Sequence, residues 1–269
     1  MSSSKGLSKA GQVFFGGLCV GTFGLGTWQT QRYFEKIRLM EERQSDLQKA
    51  PTETFNIQEI QQQTNNFCQL QLQGRYDHRH EFLVGPRGPP PGALPDTAGG
   101  GGISSAPQGY FVMTPFILKK TGETVLVNRG WVPRAMVVPD RRQSSSNASR
   151  SDLLQWDRPD TVTDLVVVPA RAETPKSLLV AQHDFQAQPP RLFWYDQVAM
   201  QAAAGLPLQP PSLIVTAIQN KNQSSLPLRP PVEHVGDFKV TPAIHVGYAA
   251  TWYGLSLAGV YMTRMLLRR

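Results

Sequence analysis

The pattern of apolar and polar positions divides the chain into two uncharged ends and an alternating middle. Residues 10–29 and 243–263 contain no Asp, Glu, Lys or Arg. Because an α-helix rises about 1.5 Å per residue, roughly 20 such residues reach about 30 Å, the thickness of the hydrocarbon core of a bilayer. We therefore predict two transmembrane helices, with basic tails at 1–9 and 264–269 on the cytoplasmic side or, in a mitochondrion, the matrix side. Small residues four apart predict the contact between the helices: Gly17, Gly21, Ala250, Gly254 and Ala258.

Residues 30–242, between these helices, are predicted to form a β-rich soluble domain of the α+β class. Over 68–73, apolar residues alternate with glutamines, which is typical of a half-buried strand. Asp196 is predicted to cap a helix over 197–204. The hairpin-like spacing indicates a mainly antiparallel, curved or partly closed sheet. β-branched and aromatic runs predict the other strands, at 74–84, 110–118, 123–129, 161–172, 191–195, 213–218 and 238–241.

Two stretches of this middle segment have the composition of flexible loops. Residues 85–108 are rich in Pro and Gly, and residues 141–157 are rich in Ser. Such stretches bury too little apolar surface to offset the entropy of ordering. Asn147 and Asn222 lie in glycosylation acceptor motifs, which would be used if the chain passed through the secretory pathway. They keep open an alternative, a double-anchored extracellular β domain that binds other proteins.

Charge, cysteine content and histidine positions argue against several function classes. The net charge of +7 comes from scattered basic residues that partly flank the predicted helices, which indicates membrane orientation and not nucleic-acid binding. Cys19 and Cys68 form neither a disulfide framework nor a Cys-x-x-Cys metal site. No nucleophile motif accompanies the soluble histidines, so we predict that the protein is not an enzyme and not a hydrolase. These histidines are His78, His80, His183 and His234.

His78 and His80 fall on one face of a predicted strand. Two imidazoles on one face form either a metal pair or an exposed polar face. Because no third ligand is near them in the sequence, we predict the polar face and no metal site.

Three motifs follow one another along the chain: Gly21-Thr-Phe-Gly-Leu-Gly-Thr-Trp-Gln29 with Gln31-Arg32, Leu126-Val-Asn-Arg-Gly-Trp-Val-Pro133, and His245-x-x-Tyr248-x-x-Thr251-Trp-Tyr-Gly-Leu255. By composition, the central motif is a strand end and turn, with Arg129 or Arg134 free to bind an acidic group on a partner. In order and layout the three motifs resemble those of the surfeit locus protein one, or Shy/Surf, family. The matching positions are Gly24, Trp28, Gln29, Arg32, Asn128, Arg129, Gly130, Trp131, Pro133, Thr251, Trp252 and Gly254.

The resemblance implies an assembly factor for cytochrome c oxidase (respiratory complex IV) in the mitochondrial inner membrane, with its domain in the intermembrane space. Bacterial relatives sit in the plasma membrane instead. The expected partners are the haem-bearing core subunit of the oxidase, other assembly factors and membrane lipid. Long low-complexity inserts are commoner in eukaryotic chains, so we favour the mitochondrion.

The resemblance also implies transient handling of haem a, with His245 at the position of a haem-ligating histidine. Imidazole is a common axial ligand of haem iron. On a helix, Tyr248 and Trp252 would share a face with His245 and could form a wall against the porphyrin. The alternative is an interfacial histidine within an ordinary aromatic belt. Family members carry an Asn just before this histidine, where this chain has Pro242-Ala-Ile244, so the resemblance predicts that any orienting bond from that neighbour is absent.

Overall fold

The computed structural model describes residues 8–63, 67–94, 107–138, 154–174, 181–219, 225–235 and 242–268. The chain divides into two compact units, Met1–Arg43 with Asp237–Arg269, and Gln44–Gly236. The first unit is a pair of long helices, α1 (Lys9–Leu47) and α4 (Pro242–Leu267). The last four residues of α1 belong to the second unit, which also contains the sheet.

The two long helices pack through close contacts between a glycine and a larger side chain and through polar bonds. A Cβ atom added to Gly26 would lie 2.7 Å from the ring of Tyr253, so the ring lies directly against the α1 backbone. Ser256 Oγ donates a hydrogen bond to the carbonyl oxygen of Cys19 at 2.9 Å. The predicted contact through small residues four apart is wrong, because nothing lies within 4 Å of a Cβ built on Gly17, Gly21 or Gly254.

The prediction of two membrane-spanning helices over 10–29 and 243–263 is also wrong. Helices do form there, and both are long enough. None of the helices in the described part of the chain, however, combines that length with sufficient hydropathy to cross a bilayer. The prediction relied on length and on the absence of charge. The same segments contain many Gly, Thr, Tyr and Gln residues, which lower the mean hydropathy.

The described strands form one sheet of eight strands in the order β1-β2-β6-β8-β5-β4-β3-β7. An additional pairing of β2 with β4 closes β2, β6, β8, β5 and β4 into a five-stranded barrel. Five of the eight strand pairings are antiparallel and three are parallel, so the sheet is mainly antiparallel, while the α+β class predicted above is corrected to a mixed α/β fold. The strands are β1 (Thr52–Glu53), β2 (Leu70–Tyr76), β3 (Phe82–Arg87), β4 (Gly109–Leu118), β5 (Thr124–Pro133), β6 (Thr163–Ala170), β7 (Arg191–Leu192) and β8 (Ile214–Ala217).

The interior of the barrel is filled by inward-facing apolar side chains, because alternate residues of each strand point to the same side. Closure depends on Gly74, which pairs with Thr163 of β6 on one side and Leu118 of β4 on the other. A Cβ there would lie 2.2 Å from the carbonyl oxygen of Ile117, so a larger residue would push β2 and β4 apart. The buried interior residues are Leu70, Leu72, Tyr76, Phe116, Leu118, Val125, Val127, Leu165, Val167, Val215 and Ala217, covered by Ile60 of the short helix α2 (Ile57–Gln63).

Helix α3 (Gln197–Ala203) packs on the outer face of the sheet, where Met200 joins a cluster with Phe82 and Leu126. The predicted cap is confirmed, since Asp196 Oδ1 accepts from the N–H groups of Val198 and Ala199 at 3.0 and 3.1 Å. That bond satisfies backbone donors that the first turn of a helix leaves unpaired.

Several sequence-predicted boundaries need revision. The strand predicted over 191–195 is only two residues long. Ordered structure also extends into both predicted loops, because β3 continues to Arg87 and Trp156 is buried in a core cluster. Of these two loops, residues 95–106 and 141–153 lie outside the described residues. So do the strand predicted over 238–241 and both glycosylation motifs.

Candidate functional site

The central sequence motif forms a β-bulge at the end of the barrel. Gly130 pairs with Val112 of β4 and Asn128 pairs with Met113, so Arg129 is the extra residue of β5. Gly130 has φ +132°, a backbone region that side chains with a Cβ rarely adopt. A Cβ there would also lie 2.5 Å from the carbonyl oxygen of Leu228. The bulge therefore requires glycine at this position.

The side chain of Arg129 closes the end of the barrel. It is 0% exposed, and its guanidinium lies 4.7 Å from the centre of the Tyr76 ring. Nη1 donates to Glu81 Oε2 at 3.0 Å, and Nη2 donates to the carbonyl oxygen of Asp157. An isolated charge buried this deeply would be strongly unfavourable, and the carboxylate of Glu81 compensates it. Arg129 is thus paired within the chain, so it is not free for a partner; for the exposed Arg134, the other arginine named above, this stays a prediction.

Glu81 links the barrel to the segment that ends the second predicted loop. Its Oε1 accepts from Trp156 Nε1 at 3.1 Å and from two nitrogens of Arg158, at 3.2 and 2.9 Å. Burial acts to raise the pKa of Glu81. Burial is outweighed by interactions with His78 and with the two arginines, which hold the pKa of Glu81 below its ordinary value of 4.5. His78 Nδ1 lies 3.7 Å from Glu81 Oε2. The carboxylate is therefore charged at neutral pH and fixes Arg129 and Arg158 together.

The other residues of the central motif also make internal contacts. Asn128 Nδ2 donates to the hydroxyl of Tyr195 at 3.1 Å, and its Oδ1 accepts from the N–H of Gly130 at 3.0 Å. Burial raises the pKa of Tyr195, so its hydroxyl stays protonated. Trp131 Nε1 donates to the carbonyl oxygen of Arg87 at 3.0 Å, and Pro133 ends β5 half-buried. The polar side chains of this motif therefore stabilise the fold of the barrel end.

The histidines of the second unit do not form the predicted shared face. His78 and His80 lie on a 3₁₀ turn, where His78 is turned towards Glu81 and His80 Nδ1 lies 2.7 Å from Asp77 Oδ2. Within the residues that the structure describes, no three His, Cys, Asp or Glu side chains are grouped for binding a metal ion.

The helix pair brings one predicted site residue into a defined polar contact. His245 lies in the first turns of α4, and its Nδ1 is 2.8 Å from Oε1 of Gln29 on α1. Tyr248, one turn further on, is exposed, and Trp252 is half-buried. The sequence shows both Gln29 and His245 but not that they meet, because 216 positions separate them.

The remaining motif positions on the helices have local roles or lie at the surface. Arg32 pairs with Glu35 at 2.5 Å, one turn along α1, and Thr251 Oγ1 donates to the carbonyl oxygen of Gly247 at 3.0 Å. These contacts lie within single helices. The exposed motif residues are Gly24, Trp28, Thr251 and Gly254.

The central motif and the two helix motifs match a known family in sequence. The sequence model of the SURF1 family matches residues 17–257. The chain belongs to the SURF1 family. Surfeit locus protein 1 of Homo sapiens is 32% identical over 247 residues, which is 90% of this chain and 73% of that protein. Surfeit locus protein 1 of Rattus norvegicus is 29% identical, over 92% of this chain and 72% of that protein. The Arabidopsis thaliana protein of the same name is 27% identical, over 92% and 75%.

Two side chains that make central contacts in this SURF1-family protein are not evident from the sequence. Glu81 accepts hydrogen bonds from both Arg129 and Arg158 at the barrel end. The sequence feature that indicates its burial is its position directly before the apolar run Phe82-Leu-Val84. Charged residues are almost never fully buried unless they are paired. Gln29 is a motif residue, but nothing in the sequence identifies it as the hydrogen-bond partner of His245.

Proposed function

We propose that this SURF1-family protein is a non-enzymatic assembly factor for cytochrome c oxidase. Its role is to assist the delivery of haem a to the haem-bearing core subunit, or to stabilise that subunit. Family membership over residues 17–257 carries the proposal.

His245, with Tyr248 and Trp252, would hold the haem. The imidazole has one nitrogen engaged by Gln29 and, among the described residues, no hydrogen bond recorded at the other, Nε2. An unprotonated imidazole nitrogen is the donor that haem iron accepts. The exposed Tyr248 ring and the half-buried Trp252 ring supply apolar faces on the same side of α4. Haem a, when bound, would supply the redox-active iron that the oxidase needs.

The oxidase core subunit and other assembly factors are the proposed partners. The helix pair exposes large apolar side chains, including Val13, Val20 and Leu257. Exposed apolar surface of this kind commonly marks an interaction site. We assign this surface to the apolar helices of the core subunit.

Removal of the protein from its own cells tests the assembly role. We expect the haem a absorbance and the content of assembled oxidase to fall, and re-expression of the unaltered chain to restore both. Cytochrome b absorbance in the same membranes provides the internal control, because it reports a different respiratory complex. Unchanged haem a and oxidase content after removal would contradict the proposal.

We further propose that the protein acts at the mitochondrial inner membrane, with its second unit on the intermembrane-space side. Protease added to mitoplasts should then degrade the residues of the barrel. Protection of the barrel in intact mitoplasts would contradict this placement. A mass shift on deglycosylation would instead favour the secretory alternative.

A further inference from the structure

We propose that Gln29 is the positioning residue for His245, holding the proton on Nδ1 so that Nε2 is left as the free donor nitrogen. The effect of Gln29 on haem binding rests on the proposed haem function. Its structural part, the choice of tautomer, concerns the haem-free protein and can be tested without any ligand.

With Oε1 of the Gln29 amide facing the ring, the geometry points to Nδ1 as the nitrogen that carries the proton. Gln29 Oε1 and His245 Nδ1 are 2.8 Å apart, a normal hydrogen-bond distance. A side-chain carbonyl oxygen has no proton to give, so it accepts and Nδ1 must donate. In a neutral imidazole only one nitrogen carries a proton, and Nε2 is then left with a lone pair. Gln29 thus selects the tautomer that offers Nε2.

The neighbouring polar groups of the helix pair are paired with each other and not with His245. The hydroxyl of Tyr253 lies 3.4 Å from Thr27 Oγ1 and 3.3 Å from Thr30 Oγ1. Ser256 bonds to the backbone of α1. Among the described residues, the bond to Gln29 is the one hydrogen bond recorded for His245. Gln29 is therefore the group that sets the orientation of this ring.

Gln29 supplies the acceptor for the Nδ1–H group of His245, which the residues before His245 on α4 do not supply. Metal-binding histidines almost always donate their other N–H to a carbonyl, carboxylate or water, and loss of that partner typically lowers metal affinity about 10–100-fold. Pro242, Ala243 and Ile244 have no side-chain acceptor. The acceptor comes from α1 instead, so an intact helix pair is required to orient His245.

Nitrogen-15 NMR of histidine-labelled, haem-free protein tests the tautomer directly. We expect His245 of the full-length chain to be protonated on Nδ1, and the Gln29→Leu variant to move towards a mixture of both tautomers. Gln29→Glu, which keeps an acceptor oxygen, should preserve the Nδ1 proton. A proton on Nε2 in the unaltered chain would mean that Gln29 presents its NH₂ group to the ring, and would overturn the proposal.

Titration with haemin, followed by the Soret absorbance, tests the consequence. We expect Gln29→Leu to weaken haemin binding about 10–100-fold, and Gln29→Glu to bind within a few-fold of the unaltered chain. Tyr253→Phe is the matched control, because it removes a different polar contact of the same helix pair, and it should leave haemin affinity unchanged. Unchanged affinity in Gln29→Leu, with weakened binding in His245→Ala, would overturn the positioning role while the haem function survives. If His245→Ala also binds as the unaltered chain does, the haem function itself fails, and the NMR result decides the tautomer separately.

Discussion

Replacement of Glu81 by Gln is the sharpest test of how the barrel end is held together. The carboxylate is 5% exposed and accepts five hydrogen bonds. The donors are Thr114, Arg129, Trp156 and Arg158, which contributes two nitrogens. Glutamine has nearly the same shape, so the change removes charge and an acceptor without leaving a cavity. The NH₂ group of the glutamine would stand where one carboxylate oxygen of Glu81 accepts hydrogen bonds, so the donors there would face another donor.

The expected loss of stability follows from leaving a buried cation unpaired. Arg129 is 0% exposed, and in place of the carboxylate its charge would face neutral groups: the remaining amide oxygen, the carbonyl oxygen of Asp157 and the ring of Tyr76. Removing one partner of a buried ion pair typically costs about 3–5 kcal/mol. Small domains are stable by about 5–15 kcal/mol, so the variant should lose a large share of its stability.

Urea denaturation of the full-length chain, followed by tryptophan fluorescence, measures this loss. Asp46→Asn is the matched control, because it makes the same carboxylate-to-amide change in a pair whose side chains are 38% and 68% exposed, with Lys49 as the partner. Exposed pairs contribute about 0–1 kcal/mol. The reasoning would be refuted if Glu81→Gln lost no more stability than the Asp46 control does.

Three further outcomes follow from the same structure. Folding lowers the pKa of Glu81, so its contribution to stability is present above the ordinary pKa of 4.5 and is lost as pH falls from there through the folded pKa. The difference in unfolding free energy between Glu81→Gln and the unaltered chain should therefore shrink as pH falls. Acid titrations followed by fluorescence measure it. Gly130→Ala should destabilise the barrel by at least about 1–3 kcal/mol in urea, since φ is +132° and Leu228 blocks the Cβ; an unchanged midpoint would contradict this. Asp196→Ala should cost about 1 kcal/mol by loss of the cap on α3, and Asp196→Asn should recover most of it.

The sequence by itself determined much of the local structure. Alternation of apolar residues with glutamines located β2, and Asp196 located the start of α3, because side-chain periodicity and capping act within a few residues. The motifs around Arg129 and His245 also indicated the family, which the match of the family model to residues 17–257 then established. Length and absence of charge were not sufficient to infer membrane-spanning helices.

Only the tertiary structure decided which distant groups meet. Strands β3 and β5 both pair with β4 at Met113, and these pairings place Glu81 beside Arg129 across 48 positions of sequence. Packing of α1 against α4 likewise brings Gln29 to His245. A buried charge or an oriented imidazole depends on the position of its partner in space. No pattern within a short stretch of sequence records that position, because the energy that selects it comes from packing of the whole unit.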